Sequence, residues 1–315
     1  MGAYPFFSSA RQEPPMRLLV VGASGFLGSH VWRRADSAGM AVVTAGRRAP
    51  PDSPRHETID LAADPPTRVA AMLSAVAPDA VVNCVGATAG APDLLAAANI
   101  TCTYVLTSAM LESGLPARLV HLGSAAEYGW TEAGVPVAES EPPRPVGVYG
   151  VTKLAGTRLV QLARTAGLDA VVLRVFNPVG LGASPDGLPG RLVAELRRAL
   201  ADGTDVRLGS LKAVRDFVDA RDVADAALAA ATASSLPSSV YNIGSGHGVP
   251  VRTLVEELVT ISGCASTVHE DASGSPRSAE VAWQEADIAF ARRDLDWAPR
   301  RDLLTSLSDW WEETA

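Results

Sequence analysis

From residue 17 onward the chain alternates between two hydrophobic patterns. Short apolar runs rich in Val, Leu and Ala occupy residues 18–21, 41–44, 80–85, 119–122 and 170–176. Longer stretches with helical periodicity lie between most of them, notably residues 94–112 and 149–166. Strand-length apolar runs separated by helix-length segments predict a parallel sheet covered on both faces. A short polar run at 57–60 predicts one further strand. The fold class is therefore α/β, a Rossmann-type doubly wound parallel sheet.

After Asn177 the texture changes. Gly180, Gly182, Pro185, Gly187, Pro189 and Gly190 make a loop-rich stretch before a helix-like segment at 191–200. Residues 219–232 read as another helix and 240–243 as a strand. The organisation expected is a loose leader at 1–15, a dinucleotide-binding unit at 16–177 with a return at about 213–245, and a smaller C-terminal α/β unit from 178–212 and 246–315. The leader lacks the basic start and long apolar centre of a signal peptide. No repeat or low-complexity linker separates the parts.

With 315 residues the chain can bury a large core. No uninterrupted apolar run approaches the ~20 residues of a membrane helix, so a cytoplasmic protein without a membrane partner is expected. The net charge of −8 leaves no basic face, which argues against nucleic acid. Cys84, Cys102 and Cys264 are odd in number and scattered, unlike a disulfide framework or a zinc site. His30, His56, His121, His247 and His269 show no ligand spacing, so no metal is expected. His121, within an apolar run, reads as a core histidine, and Trp310 and Trp311 as packing residues.

Chemistry enters at the end of the first apolar run. Residues 18–21 lead into Gly22-Ala23-Ser24-Gly25-Phe26-Leu27-Gly28. A strand, a glycine turn and a helix start suit a pyrophosphate, because backbone N–H groups can approach it and the helix N-terminus favours its charge. The NAD pattern then calls for a carboxylate at the end of the second strand. Here that strand ends in Gly46-Arg47-Arg48. Guanidinium groups suit the extra phosphate of NADP(H), so NADP(H) is the expected cofactor; the alternative is a pair of surface arginines. Asp60 is placed to reach the adenine or to cap a turn. Leu61 beside it, Val85-Gly86-Ala87 after the fourth run, and Asn99 complete the expected cofactor contacts.

Tyr149 and Lys153 stand four residues apart, on one face of the predicted helix. A cation beside a phenol favours the phenolate and readies it for proton exchange near neutral pH. Only Lys153 and Lys212 are lysines in the chain, which gives that placement weight. Ser124, ending the preceding strand, can bond the same substrate oxygen.

These residues together resemble the extended short-chain dehydrogenase/reductases of the nucleotide-sugar epimerase/dehydratase family, over nearly the whole chain from Arg17. Gly22–Gly28 resembles the family's cofactor loop, and Ser124, Tyr149 and Lys153 its triad. The Asn99 segment resembles N-x-x-G-T, with Cys102 in place of glycine. The segment from His121 to Gly129 resembles its serine-to-Tyr-Gly stretch, and that from Leu173 to Gly180 its L-R-x-F-N-x-x-G. Arg215-Asp216-Phe217 resembles its R-D-F, and Arg277-Ser278-Ala279-Glu280 its R-P-x-D/E with the proline lost.

The resemblance implies a nucleotide-diphosphate sugar as substrate, with Ser124, Ala125, Ala126, Asn177, Arg215 and Arg277 contacting it, and the smaller unit as its binding domain. Dehydratases of the family carry Asp-Glu after the catalytic hydroxyl residue. Ala125 and Ala126 stand there, which argues against dehydration. The segments 209–217 and 219–222 are similar to those of GDP-4-keto-6-deoxy-mannose reductases, although those reductases carry Glu where this chain has Ala126. The reaction implied is NADPH-dependent reduction of the 4-keto group of a GDP- or dTDP-linked 4-keto-6-deoxyhexose. An epimerase with bound NAD(P) and a non-catalytic NADP-binding regulator are the alternatives. Family likeness also implies a homodimer through helices 94–112 and 149–166, where Ala155 and Gly156 would permit close approach.

Overall fold

The computed structural model describes residues 14–270 and 281–313. The leader, apart from Pro14 and Pro15, and Arg277 lie outside the described residues.

The chain starts β1 (Arg17–Val21), α1 (Phe26–Ser37), β2 (Ala41–Gly46), β3 (His56–Thr58), α2 (Pro66–Val76) and β4 (Ala80–Asn83). Next come α3 (Pro92–Ala96) and α4 (Cys102–Ser113), joined without a break by a π-helical turn at Ala97–Thr101. β5 (Arg118–Ser124), α5 (Val148–Thr165) and β6 (Ala170–Val175) follow. The strand expected at 57–60 begins one residue earlier and is shorter. Helix α2 had no counterpart in the pattern reading, because its Ala-rich sequence carries a weak polar face.

All seven strands of the main sheet are parallel, in the order β11-β6-β5-β4-β1-β2-β3, where β11 is Val240–Ile243. The chain leaves β1 toward one side and β4 toward the other. A crevice therefore opens where β1 and β4 end, the place at which such sheets bind ligands. Successive residues of each strand serve opposite faces. Leu18, Val20, Val82 and Val120 join the core under α1 and the later helix α7, whereas Leu19, Val21, Val81 and Leu119 join the core under α2, α4 and α5. Truncating one such buried leucine to alanine costs roughly 2–5 kcal/mol.

The remaining elements are β7 (Pro178–Val179), α6 (Leu188–Asp202), β8 (Val206–Leu208), β9 (Val214–Asp216), β10 (Val218–Asp219) and α7 (Ala220–Thr232), leading into β11. Then follow β12 (Gly248–Pro250), α8 (Val251–Ser262), β13 (Val268–Glu270), β14 (Trp283–Gln284), α9 (Ala289–Leu295) and α10 (Leu303–Glu313). Helices α6, α8 and α10 build a third core around Leu192, Leu196, Leu254, Leu258, Leu307 and Trp310. Trp310 is buried there, and Arg197 lies 4.2 Å over the ring of Trp311. Asp216 ties this part to the sheet. Its buried carboxylate accepts from Ser245 N–H and Oγ–H, Gly246 N–H and Ala286 N–H.

One helical stretch, Pro92–Ser113, is long and apolar enough by composition to cross a membrane, although no uninterrupted apolar run approaches that length. Half of its most apolar window is buried, between α2 and α5. Polar Asn99 and Thr101 in the π turn and Thr103 at the start of α4 interrupt the apolar sequence within one continuous helix.

Candidate active site

The crevice begins with the turn between β1 and α1. Gly22 adopts a φ of +81°, and Gly28 sits so close beneath it that a Cβ there would lie 2.2 Å from the Gly22 carbonyl oxygen. The turn thus packs backbone on backbone, leaving Ser24 and Gly25 exposed at the mouth. No side chain caps α1, and its first turn carries no acidic residue. Such an end accepts an anion, so the loop fits the pyrophosphate of a dinucleotide. Phe26 and Leu27 open the helix beside it.

The residues expected at the adenosine end lie at the tips of β2 and β3. Arg47 and Arg48 are exposed there. Arg47 and Asp60 both reach Cys102 electrostatically; burial pushes that thiol up to about 11, Asp60 adds to the effect and Arg47 opposes it. Asp60 also makes a turn, accepting from Ala62 N–H at 3.0 Å while its own N–H donates to Asp64. The turn reading of Asp60 is thus seen in the structure. Leu61 beside it is buried.

Asn99 clamps the loop after β4. Its Oδ1 accepts from Ala87 N–H, and its Nδ2 donates to Ala87 O and Thr152 Oγ1, each at 3.0 Å. Val85 N–H donates to Asn83 Oδ1. This loop, with Gly86 exposed on it, passes over Lys153: a Cβ on Gly86 would lie 3.7 Å from Nζ.

Ser124 and the α5 pair meet at the same edge. Ser124 is 8% exposed; its Oγ accepts from Ala126 N–H, so its hydroxyl proton remains to be donated. Tyr149, half-buried, stands in the first turn of α5. Gly150 lets that turn press on the Ser124 loop, since a Cβ there would lie 2.5 Å from Ala126 O. Lys153 is buried and donates from Nζ to Leu122 O at 2.6 Å. Burial pulls its ammonium below the ordinary lysine range, and the charge of Glu127 opposes that.

Other predicted contacts are placed differently from one another. Ala126 is half-buried at the cleft, but the Ala125 side chain turns into the core, and its carbonyl accepts from Gln284. Asn177 is held by its amide on Asp216 O at 2.8 Å. Arg215 is buried and donates to the carbonyls of Val214 and Val281; desolvation pulls its guanidinium down to about 10. His121 is buried, with Nδ1 3.0 Å from Asn83 Nδ2, and burial drives it well below the usual histidine range. Among the described residues no three metal-binding side chains cluster.

Glu127 and Tyr128 are fully buried. Glu127 accepts from Ser124 N–H, Thr157 Oγ1–H and Arg174 Nε–H, at 2.8, 2.8 and 2.9 Å. Tyr128 donates to Asn242 Oδ1 at 2.7 Å and lies under Arg174. Two signals pointed there. Ser124-Ala125-Ala126-Glu127 is a capping-box pattern, and an arginine within the apolar run of β6 requires a buried anion.

The model of the NAD dependent epimerase/dehydratase family matches residues 18–244. The chain belongs to this family. It is 38% identical over 309 residues to dTDP-6-deoxy-L-talose 4-dehydrogenase (NAD(P)(+)) of Kitasatospora kifunensis, covering 96% of this chain and 97% of the relative. It is 27% identical to GDP-6-deoxy-D-mannose reductase of Pseudomonas aeruginosa, covering 93% and 97%. Among solved structures, MoeE5 in complex with UDP-glucose and NAD superposes with a TM-score of 0.82 at 29% identity, covering 95% and 98%. The similarity to the talose dehydrogenase thus exceeds that to the mannose reductase, whose motifs drew attention in the sequence.

Proposed function

We propose that this family member is an NADPH-dependent ketoreductase acting on C4 of a nucleotide-linked 4-keto-6-deoxyhexose, the dTDP-linked sugar first and the GDP-linked sugar second. The observation that carries the reading is the packing of the first turns of α5 on the end of β5, with Lys153 Nζ on Leu122 O and Gly150 against Ala126 O, which sets Tyr149 and Lys153 on the helix beside Ser124, while Arg47 and Arg48 are exposed after β2. The 38% identity to a dTDP-6-deoxy-L-talose 4-dehydrogenase favours the dTDP sugar.

A bound NADPH supplies the hydride. The protein supplies the proton and the geometry. Tyr149 donates its phenolic proton to the oxygen developing charge at C4. Ser124 donates a hydrogen bond to that oxygen. Lys153 favours the phenolate left on Tyr149 and holds the cofactor ribose. Asn177, Arg215 and Arg277 hold the nucleotide diphosphate. Dehydration is disfavoured on two counts: Ala125 and Ala126 offer no acid or base, and the next carboxylate, Glu127, is committed to Ser124, Thr157 and Arg174.

The assembly we propose is a homodimer through α3, α4 and α5. Val148, Val151, Arg158 and Leu162 are exposed on one stripe of α5, with Ala155 half-buried between them, and Leu94, Tyr104 and Leu111 are exposed on the neighbouring helix. Gly156 does not serve this face. It is buried, and a Cβ there would lie 2.8 Å from Asn99 O in the same chain.

The test is NADPH absorbance with dTDP- and GDP-linked 4-keto-6-deoxyhexoses in turn. Stoichiometric oxidation with one of them is the expected outcome, and Tyr149→Phe should lower kcat by about 10²–10⁴-fold. A sugar converted without net oxidation, seen by NMR, would identify an epimerase instead. Near-wild-type turnover in Tyr149→Phe would remove the proton donor from the scheme.

A further inference from the structure

We propose that Glu127 is a positioning residue: one buried carboxylate that ties Ser124 to the helix bearing Tyr149 and Lys153 and supplies the counter-charge for Lys153. The inference rests on the assignment of those three residues to the reaction.

The geometry is a three-way junction. Through Oε1, Glu127 accepts from Ser124 N–H, fixing the end of β5. Through Oε2 it accepts from Thr157 Oγ1–H, one turn beyond Lys153 on α5. The same oxygen accepts from Arg174 Nε–H, one residue before the end of β6. Every bond lies in the core, where water cannot substitute, so Glu127 joins the Lys153–Leu122 bond and the Gly150–Ala126 packing in setting the spacing of Ser124 from α5. A misplacement of about 1 Å between reacting groups can cost 10²-fold in rate.

The charges support a second role. The ionisable groups facing Lys153 are Glu127 from the turn after β5, Cys84 from the loop after β4, and His121 from β5; Tyr149 lies one turn away on its own helix. Burial holds the Cys84 thiol up at about 12 and keeps His121 neutral, so neither offers Lys153 a negative charge near neutral pH. Facing Glu127 from the other side is Arg174, with Tyr128 and Glu139 beyond it. Arg174 is thus hydrogen-bonded to the Glu127 carboxylate at 2.9 Å, and Lys153 feels the same charge electrostatically.

Glu127→Gln keeps the shape, but its amide must set a donor against Ser124 N–H or against Arg174. In the full-length protein, kcat should fall about 10²-fold with little change in KM. The basic limb of the kcat–pH profile should move down by about one unit or more, because loss of the negative charge disfavours the ammonium and favours the phenolate. Glu127→Asp keeps the charge but not the reach, and should restore the pH limb while kcat stays low. Thr157→Val keeps the charge and cuts only the tie to α5, so kcat should fall with the pH limb unmoved.

Titration of Tyr149 by ultraviolet tyrosinate absorbance, as the difference from a Tyr149→Phe protein, reads the electrostatic role without any substrate. It should move to lower pH in Glu127→Gln. That shift in a protein inactive on every ketosugar would leave this inference standing and remove the proposed reaction. Wild-type kcat and an unmoved tyrosinate titration in Glu127→Gln would overturn the inference. If Glu127→Gln fails to fold, wild-type kcat in Thr157→Val, on whatever turnover the native protein supports, overturns the tie.

Discussion

Arg47 and Arg48 are the pair to which we assign the proposed preference for NADPH. Both are exposed at the tip of β2, and no carboxylate occupies the end of that strand. Replacing both by alanine should raise KM for NADPH by about 10–100-fold, the scale of one or two lost charge-assisted hydrogen bonds, and leave KM for NADH unchanged. An equal rise for both cofactors in steady-state kinetics would mean that the arginines do not read the 2′-phosphate. At this scale much of the site was legible. Tyr149 and Lys153 are four apart on a helix, and that spacing alone puts them on one face. The partners of Glu127 were not legible, since Ser124, Thr157 and Arg174 come from three elements up to 50 residues apart in the chain. Only the half of that junction closed by the local Ser124-x-x-Glu127 pattern was open to sequence reading.

The decisive element is the β1–turn–α1 unit. Gly28→Ala should abolish NADPH binding, measured by fluorescence titration, and lower stability by about 1–3 kcal/mol, because its Cβ would meet the Gly22 carbonyl. Retained NADPH affinity would show that the turn can relax. Strong periodicity revealed β1, β2, β4, β5, β6 and α5 nearly to their ends. The π turn at Ala97–Thr101 left no such trace. It exists where Asn99 reaches the Ala87 backbone and Thr152, and those contacts form only after α3, α5 and the β4 loop have met. Helices α2, α8, α9 and α10 were also missed, the first for want of a clear polar face.

For the whole molecule, the exposed apolar stripe on α4 and α5 makes a direct prediction. The wild-type protein should elute as a dimer in light-scattering chromatography. The double change Tyr104→Glu and Leu162→Glu, at positions 53% and 66% exposed, should yield a monomer with an unchanged circular dichroism spectrum. A monomeric wild type would assign the stripe no role in self-association. The sequence by itself determined the alternating α/β order, the glycine turn, the Tyr149–Lys153 pair and the arginines after β2, because each depends on residues close together in the chain. Tertiary structure alone decided that Gly156 packs inward, that Ala125 turns into the core, and that Glu127 is shared among Ser124, Thr157 and Arg174. Those outcomes depend on which strands and helices become neighbours, and a buried charge must find its partner wherever the fold brings one within reach.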